Sequence, residues 1–310
     1  MRIIKGVFSK VDFKSPVVTI GNFDGLHLGH QEIISVLKKE ARSISGQAVV
    51  VTFSNHPQTI INPLNKIFYI TTFQEKMAIF KSLGVDKVVL LNFTKGMAQM
   101  KAEDFYRKIL IDKIGAHKIV VGYDHNFGKN KEGGFNLLSN LAKKDGLLVK
   151  EVKAKSKKNN PISSTLIRQK ILSGNFLEVN KLLGRPFQLA GRVIFGKKRG
   201  SVLGFPTANI SLGDSGKIVP NNGVYAVEVF IPKLNLTRKG MLNIGFNPTF
   251  NNSIKTLEVN IFSFRHNIYR YKIIVKFYKK IREEKKFNSA KLLVKQLEKD
   301  KIKVRTFFDQ

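Results

Sequence analysis

Short apolar runs alternate with amphipathic segments through the first half of the chain. The segments have apolar residues at helical spacing, as in Gln31 to Arg42, Thr72 to Leu83 and Ala102 to Ile114. The apolar runs, which are rich in β-branched residues, are Val17 to Ile20, Ala48 to Phe53, Lys87 to Asn92 and Lys118 to Gly122. Such runs are typical of parallel strands buried on both faces. The pattern predicts an α/β domain with a doubly wound parallel sheet, whose ligands bind beyond the carboxyl ends of the strands, where Asn22, Asn55 and Asp124 would emerge.

The pattern changes after a basic stretch at residues 153–161, which we predict to be a loop. Two helical segments follow, Ser164 to Ser173 and Phe176 to Leu183. Further on, β-like runs are separated by Gly, Pro and Asn: Gln188 to Phe195, Gly223 to Ile231, Lys239 to Ile244, Thr256 to Ser263 and Lys272 to Ile281. They predict an antiparallel β-barrel, with an amphipathic helix at Ser289 to Lys299 packed on it. We therefore divide the chain into domains 1–185 and 186–310, at the boundary marked by Gly184 to Pro186.

The composition fits a globular protein of two domains. The chain has 310 residues, of which 43% are hydrophobic, so each domain can bury its own core. No apolar run approaches the length of a membrane span, and the first residues are too quickly polar for a signal peptide. The absence of cysteine excludes disulfides, thiolate metal sites and cysteine nucleophiles. We expect a cytoplasmic protein, either monomeric or weakly associating.

The chain is strongly basic, with a formal net charge of +32. Such a field attracts nucleic acids and other polyanions. The Lys and Arg residues are spread along the whole chain, which is also rich in Asn, Ile and Phe, as A/T-rich codons would give. Neither a helix-turn-helix nor an aromatic RNA-binding surface is apparent. The charge therefore favours anionic substrates over dedicated nucleic-acid binding.

A glycine-rich turn, Gly21 to His30, follows the first apolar run. Its glycines let the backbone approach an anion closely, and the helix that begins near Gln31 offers unpaired N–H groups and a positive dipole end. His27 and His30 are three residues apart, so both imidazoles would lie on the first helical turn and could donate hydrogen bonds to phosphate. The sequence predicts a phosphate site here. The alternative is a glycine turn with two surface histidines.

Three further polar segments carry candidate ligands. Residues 52–57 and 120–128 each follow a predicted strand, and either alone is compatible with an ordinary loop. Residues 162–168 place hydroxyl groups at a helix start and Arg168 on the next turn. That arrangement can cap the helix or bind a second phosphate, and the two roles are compatible.

Together these segments resemble the nucleotidyltransferase module of the bacterial bifunctional riboflavin kinase and FAD synthetase. Four patterns occur in that family's order: GxFDGxHxGH, TFxxHP, VVGxD…FG and ISSTxIR. The resemblance implies that ATP is held by Gly21, Asn22, Phe23, Asp24, Gly25, His27, Gly29 and His30 and, from the other side, by Ser164, Thr165 and Arg168. It implies an FMN site that includes Asn55, His56, Pro57, Asp124 and Phe127. The implied reaction is attack of an FMN phosphate oxygen on the α-phosphorus of ATP, with His27 and His30 assisting catalysis as phosphate stabilisers.

A basic glycine-rich loop, Gly196 to Asn209, is the candidate site of the second domain. On an extended backbone Thr207 and Asn209 face the same side, where their oxygens suit Mg²⁺ beside phosphates. The alternative is a hairpin made rigid by Pro206. No Walker loop pattern occurs in the chain, so a kinase here requires another fold.

The GFPTAN segment of this loop resembles the signature of riboflavin kinases, and the likeness continues through 223–225, 243–250, 257–260 and 281–287. Glu258 lies mid-strand among apolar residues, where a carboxylate is costly unless it is used or paired. The resemblance implies that Glu258 is the general base for the riboflavin 5′-hydroxyl as that oxygen attacks the γ-phosphorus of ATP. An exposed glutamate on the strand face is the alternative. The resemblance also implies phosphate contacts from Gly196, Lys198 and Gly204, flavin contacts from Asn243, Thr249 and Arg282, and Mg²⁺ held by Thr207 and Asn209.

The resemblance covers residues 15–310 and implies both activities in one chain. The expected folds are a Rossmann-like nucleotidyltransferase domain and a riboflavin-kinase-type barrel. The expected partners are riboflavin, FMN and ATP, without dedicated nucleic-acid or membrane binding. Some positions depart from the family's pattern: Asn55 for Pro, His125 for Phe, Asn126 and Lys131 for Arg, Ser263 for Asp and Arg270 for Gly. Because losing a planar Arg is not neutral at a phosphate site, a riboflavin kinase with a degenerate first domain stays open, as does a basic nucleic-acid-binding protein.

Overall fold

The computed structural model describes residues 1–6, 11–64, 67–153, 156–157, 160–196, 200, 203–247 and 254–309. The chain forms two compact units, Met1–Ser164 and Thr165–Gln310. No helix among these residues is long and apolar enough to cross a membrane.

The first unit is built on a six-stranded parallel sheet in the order β1-β4-β3-β2-β5-β6. The strands are β1 Arg2–Lys5, β2 Val17–Ile20, β3 Ala48–Phe53, β4 Lys87–Leu91, β5 Lys118–Gly122 and β6 Leu148–Val152. From β2, chain order runs outward through β3 and β4 on one side and through β5 and β6 on the other, with β1 added beyond β4. The sheet therefore changes winding direction between β2 and β5. In open sheets of this kind, ligands bind at that point.

Helices cover both faces of the sheet. They are α1 Leu28–Ser43, α2 Pro57–Ile61, α3 Phe73–Ser82, α4 Lys95–Ala98, α5 Ala102–Phe105, which continues as a π-helix over Tyr106–Ile111, and α6 Phe135–Lys144, with a 3₁₀ turn at Lys129–Lys131. Alternate strand residues enter different cores: Val17 packs in the core beneath α1 and α3, whereas Val18 packs with α5 and α6. Burial on both faces explains why the strands are continuous apolar runs.

The second unit is a closed antiparallel barrel in the order β10-β13-β12-β11-β14-β9, with β9 also paired to β10. Its elements are α7 Ser164–Ser173, α8 Phe176–Leu183, β9 Phe187–Ile194, β10 Ala208–Ser211, β11 Gly223–Ile231, a 3₁₀ turn at Pro232–Leu234, β12 Leu236–Asn247, β13 Ile254–Ile261, β14 Lys272–Arg282 and α9 Ala290–Asp309. Phe176 of α8 packs on the barrel rings of Phe187, Tyr225 and Phe277. Helix α9 packs Val304 against Val224 and Met241.

The predicted fold is confirmed in both halves: a parallel sheet with covering helices, then an antiparallel barrel with a C-terminal helix. The prediction of a loop at 153–161 was wrong in one detail, because Ser156–Lys157 (β7) pairs with Asn160–Pro161 (β8). Helix α9 extends ten residues beyond its predicted end at Lys299. The two compact units divide at Ser164, whereas the sequence-based division lies at residue 185; α7 and α8 lie between the two positions.

Candidate active sites

The glycine-rich turn lies where the sheet changes winding direction. It leaves the carboxyl end of β2 and leads into α1, while Gly122 and Asp124 follow the neighbouring strand β5. The N–H groups of Leu28 and Gly29, in the first turn of α1, have no hydrogen-bond partner among the described residues. Unpaired N–H groups at the start of a 16-residue helix suit an anion.

The turn is held in a conformation that costs energy. Phe23 and Leu26 have φ values of 52° and 41°, and Gly25 has 81°, where only glycine is free of strain. The carboxylate of Asp24 accepts hydrogen bonds from the N–H groups of Ile70 (3.0 Å) and Thr71 (3.1 Å). Because a strained turn persists only where its surroundings determine it, Asp24 stabilises the loop from behind. Its predicted contact with ATP stays a prediction.

The two histidines of the turn stack on each other, with ring centroids 3.7 Å apart and an angle of 18° between planes. His27 caps α1, and its Nδ1 accepts a hydrogen bond from the His30 N–H (3.4 Å), so the proton of a neutral His27 lies on Nε2. Burial, assisted by His27 and Lys76, holds the pKa of His30 well below 6.5. His30 is therefore neutral at pH 7 and can donate a hydrogen bond without titrating.

Two cavities adjoin this turn. The larger, about 1010 Å³, is lined by residues that include Asn22, Phe23, His30, Pro57, Asp124 and Phe127. The smaller, about 130 Å³, is lined by residues that include His27, Gly29, Asp124 and Ser164. The larger volume is that of a site for a whole cofactor-sized molecule. His30 and Asp124 line both cavities, so a ligand in one can meet a ligand in the other at these residues.

The other residues predicted to bind FMN or ATP in the first unit have varied positions. Asn55 does not line the large cavity; its amide donates to the Phe93 carbonyl and accepts from the Phe93 N–H, both at 2.8 Å. His56 caps α2 through Nδ1. Ser164, the last residue of the first unit, donates its hydroxyl hydrogen to the Asp24 carbonyl at 2.9 Å. Thr165 and Arg168 belong to the second unit, where they lie on the first two turns of α7.

Three of the atypical positions, His125, Asn126 and Lys131, line the large cavity. The His125 ring stacks on Phe127 at 5.6 Å, and burial lowers its pKa to about 4. Asn126 donates its amide hydrogen to the Asp124 carbonyl. The side chains of His125 and Asn126 are thus neutral and held within the loop, so neither provides the fixed positive charge that an arginine would.

Sequence reasoning missed Lys76, a lysine that is only 8% exposed. Its ammonium donates to the carbonyls of Asn22 and Phe53, both at 3.2 Å, and to the Thr52 hydroxyl at 3.3 Å. Burial lowers its pKa to about 8, although the Asp24 carboxylate acts in the opposite direction. The signal was present in the sequence, since Lys76 lies four residues before the core residue Phe80, on the apolar side of α3.

In the second unit, the predicted kinase residues converge on one face of the barrel wall. Glu258 of β13 pairs with Asn209 of β10 on one side and with Asn243 of β12 on the other. Directly paired residues of neighbouring strands place their side chains on the same face. The Thr207 hydroxyl donates to Glu258 Oε2 at 3.4 Å. The structure thus brings the expected base together with both expected Mg²⁺ ligands.

The described residues of the glycine-rich loop lie close to these side chains. A Cβ on Gly196 would lie 2.0 Å from the Asn209 amide, so any side chain there would displace Asn209. Asn260 donates to the Pro206 carbonyl at 2.7 Å and fixes the segment before Thr207. Gly204 has a φ of 78°. Lys198 and Thr249 lie outside the described residues.

Arg282, a predicted flavin ligand, is ion-paired at the end of β14. Its Nε donates to Asp300 of α9 at 2.8 Å, and its Nη1 donates to the Glu283 carbonyl at 2.9 Å. Asp300 is fully buried and also accepts from Gln296 at 2.8 Å. The C-terminal helix therefore fixes the orientation of the Arg282 guanidinium.

Comparisons with known proteins agree with both halves. The FAD synthetase family model matches residues 9–166, and the riboflavin kinase family model matches residues 183–308. A protein of Buchnera aphidicola (subspecies Schizaphis graminum), named bifunctional riboflavin kinase/FMN adenylyltransferase, is 39% identical over 100% of this chain and 99% of its own length. The chain belongs to this bifunctional family. The family member of Escherichia coli K12 is 33% identical over 99% of this chain and 98% of its own length.

A solved structure has the same fold as this chain. It is a crystal structure of a protein from Streptococcus pneumoniae that bears the name macrolide-efflux protein. That chain is 35% identical to this one, each covers 98% of the other, and the TM-score is 0.89.

Proposed function

We propose that this chain makes FMN from riboflavin and ATP in its barrel unit and then FAD from FMN and ATP in its parallel-sheet unit. The observation that carries this proposal is that one chain contains two separate clusters suited to phosphate chemistry: Glu258 beside Thr207 and Asn209, and the stacked rings of His27 and His30 at the start of α1. The family models that match the two halves support the same assignment.

In the kinase reaction, Glu258 accepts the proton of the riboflavin 5′-hydroxyl as that oxygen bonds to the γ-phosphorus of ATP. The bond between the γ-phosphorus and its bridging oxygen breaks, ADP leaves, and the proton passes from Glu258 to solvent. Asn209 and Asn243, paired on either side of Glu258, orient the base and its substrate.

Mg²⁺ fits the donor set of this site. The Thr207 hydroxyl, the Asn209 amide and the Glu258 carboxylate offer the hard oxygen ligands that Mg²⁺ prefers, on neighbouring positions of one barrel face. Thr207 and Asn209 would hold the ion. When bound, it would neutralise charge that develops on the phosphate oxygens.

In the transferase reaction, an oxygen of the FMN phosphate bonds to the α-phosphorus of ATP and pyrophosphate leaves. This step needs no proton transfer from the protein, so positioning and charge stabilisation can supply the catalysis. His27 and His30 donate hydrogen bonds, as do the N–H groups of Leu28 and Gly29. Ser164, which lines the smaller cavity with His27, would bind the phosphates there. The large cavity has room for FMN beside Pro57, Asp124 and Phe127.

The decisive experiment supplies riboflavin, ATP and Mg²⁺ to the purified chain and separates the flavins by chromatography. We expect FMN and FAD. In the Glu258→Gln variant FMN formation should be lost, while FMN supplied directly is still converted to FAD. Glu298→Gln, which changes an exposed carboxylate of α9, serves as the control. FMN without FAD in the unaltered chain would leave only the kinase with a degenerate first domain.

A nucleic-acid-binding role predicts tight binding of DNA or RNA at physiological salt without flavin affinity, so a salt titration beside a flavin titration separates it. The division of the two enzymatic domains at residue 185, the cytoplasmic location and the monomeric or weakly associating state belong to the same proposal.

A further inference from the structure

Lys76 satisfies all three of its ammonium N–H groups inside the first unit. Two acceptors are main-chain carbonyls at the carboxyl ends of neighbouring strands, Asn22 after β2 and Phe53 in β3. The last main-chain hydrogen bond between these strands joins the Gly21 N–H to the Val51 carbonyl at 3.1 Å, and beyond it the Thr52 hydroxyl donates to the Asn22 carbonyl at 3.3 Å. Lys76 therefore binds the strands where their own pairing ends and the ligand site begins.

The peptide between Asn22 and Phe23 connects Lys76 to the large cavity. No cis peptide occurs in the described chain, so the N–H of Phe23 points away from the Asn22 carbonyl and hence away from Lys76. That N–H has no hydrogen-bond partner among the described residues, although Asn22 and Phe23 both line the cavity. A cation on the carbonyl also polarises the peptide and strengthens its N–H as a donor.

We propose that Lys76 is a positioning residue of the ATP site, which holds the Asn22 carbonyl so that the Phe23 N–H can donate to a phosphate oxygen, and which adds a buried positive charge behind that oxygen. This inference rests on the proposed transferase function. The Phe23 φ of 52° is consistent with it, because a peptide turned into an unfavourable conformation requires a strong partner.

The charge of Lys76 acts on other members of the site as well. It lies near the Asp24 carboxylate of the turn, and it contributes to the lowered pKa of His30 in α1. His27 stacks on His30, while the atoms of β3 that contact Lys76 are uncharged. Thus Lys76 helps to keep His30 neutral, so that His30 can donate a hydrogen bond without titrating.

The transferase is tested alone by supplying FMN and ATP without riboflavin, since the kinase then lacks its acceptor. In Lys76→Met we expect kcat/KM for ATP to fall about 100-fold, the size of effect found on removing one oriented N–H donor from a transition state. The KM for ATP should rise, as should the KM for pyrophosphate in the reverse reaction with FAD. The KM for FMN should not change. Lys76→Arg, which keeps the charge, should recover part of the loss.

Lys81→Met is the matched control, because Lys81 is an exposed lysine on the same helix and should leave every constant unchanged. A parallel rise of the KM values for ATP and FMN in Lys76→Met would indicate a collapsed loop and overturn the proposal, as would unchanged constants. If the unaltered chain forms no FAD, the proposed transferase function itself fails, which is a different result.

Should Lys76→Met not fold, the unaltered chain provides the test through its pH profile. Deprotonation of Lys76 near pH 8 removes its charge, so kcat/KM for ATP in the transferase reaction should decline above that pH. Lys76→Arg should abolish this decline. A transferase profile that stays level through pH 9 in the unaltered chain would contradict the proposal.

Discussion

Replacing Asp300 by Ala should destabilise the barrel unit strongly. Asp300 is fully buried and accepts hydrogen bonds from two side chains, Arg282 and Gln296. Its removal leaves a guanidinium that is 12% exposed without its counter-ion and leaves the Gln296 amide without its acceptor. Breaking one partner of a buried ion pair costs about 3–5 kcal/mol. For a unit of this size, about 1 kcal/mol lowers Tm by about 2–4 °C, so the expected decrease is on the order of 10 °C.

Calorimetry of the whole chain is the suitable assay, because a protein with two units need not unfold in one transition. The transition assigned to the barrel should move, and the transition of the parallel-sheet unit should not. Adding riboflavin identifies the barrel transition, since a ligand raises the Tm of the unit that binds it. Asp309→Ala, which removes an exposed carboxylate at the end of the same helix, is the matched control.

The double variant Arg282→Met with Asp300→Leu separates stability from function. Replacing both members of a buried ion pair by apolar side chains is often neutral for stability, so Tm should recover much of its loss. Riboflavin phosphorylation should stay impaired, because the oriented guanidinium is absent. If Asp300→Ala lowers Tm no more than Asp309→Ala does, the buried pair does not hold α9 on the barrel and this reasoning is refuted.

Two further changes test the parallel-sheet unit. Asp24→Asn should weaken the hydrogen bonds from Ile70 and Thr71, at about 1.5–3 kcal/mol for each bond to a charged group. It should therefore lower FAD formation from supplied FMN but not FMN formation from riboflavin. Asp104→Asn, at a partly exposed carboxylate of α5, is the control, and equal losses in both reactions would contradict the role of Asp24. Hydrogen bonds from Lys118 and Lys150 lower the pKa of Glu40 from 4.5 to about 2, so Glu40 stabilises the fold above pH 4.5 and loses that contribution as pH falls towards 2. The Tm of the unaltered chain should therefore fall more steeply over that range than the Tm of Glu40→Gln. Parallel curves of Tm against pH for the two proteins would exclude this contribution of Glu40.

The elements that could be predicted from sequence are those whose residues are buried on a regular pattern. Ala48–Phe53, Gly223–Ile231 and α8 end where the apolar pattern ends. By contrast, β1 and β6 escaped prediction because both are edge strands with mostly exposed residues, so their sequences carry no apolar run. Backbone hydrogen bonds place these two strands in the sheet, and the pattern of apolar side chains does not indicate such bonds.

The candidate sites divide in the same way. Strand spacing predicted that Thr207 and Asn209 face the same side, and the family resemblance added Glu258 to the same site. The contacts of Asn55 with Phe93, and of Asp24 with Ile70, join residues far apart in the chain, and local spacing does not encode them. The two histidines were expected on one helical turn, but the lowered pKa of His30 depends on burial and on Lys76, which a local motif does not contain.

Strand β1 protects the rest of its sheet from association with other chains. It pairs only with β4, its side chains Arg2 and Lys5 are exposed, and it is four residues long, all features that discourage a second molecule from adding a strand. The neighbouring strand β4 contains Val88–Leu91, a buried apolar stretch. If the edge of β4 were open, strands of other chains could pair with it and aggregate. Proteolytic loss of residues 1–6 should therefore reduce the solubility of the enzyme before it reduces its catalytic rate.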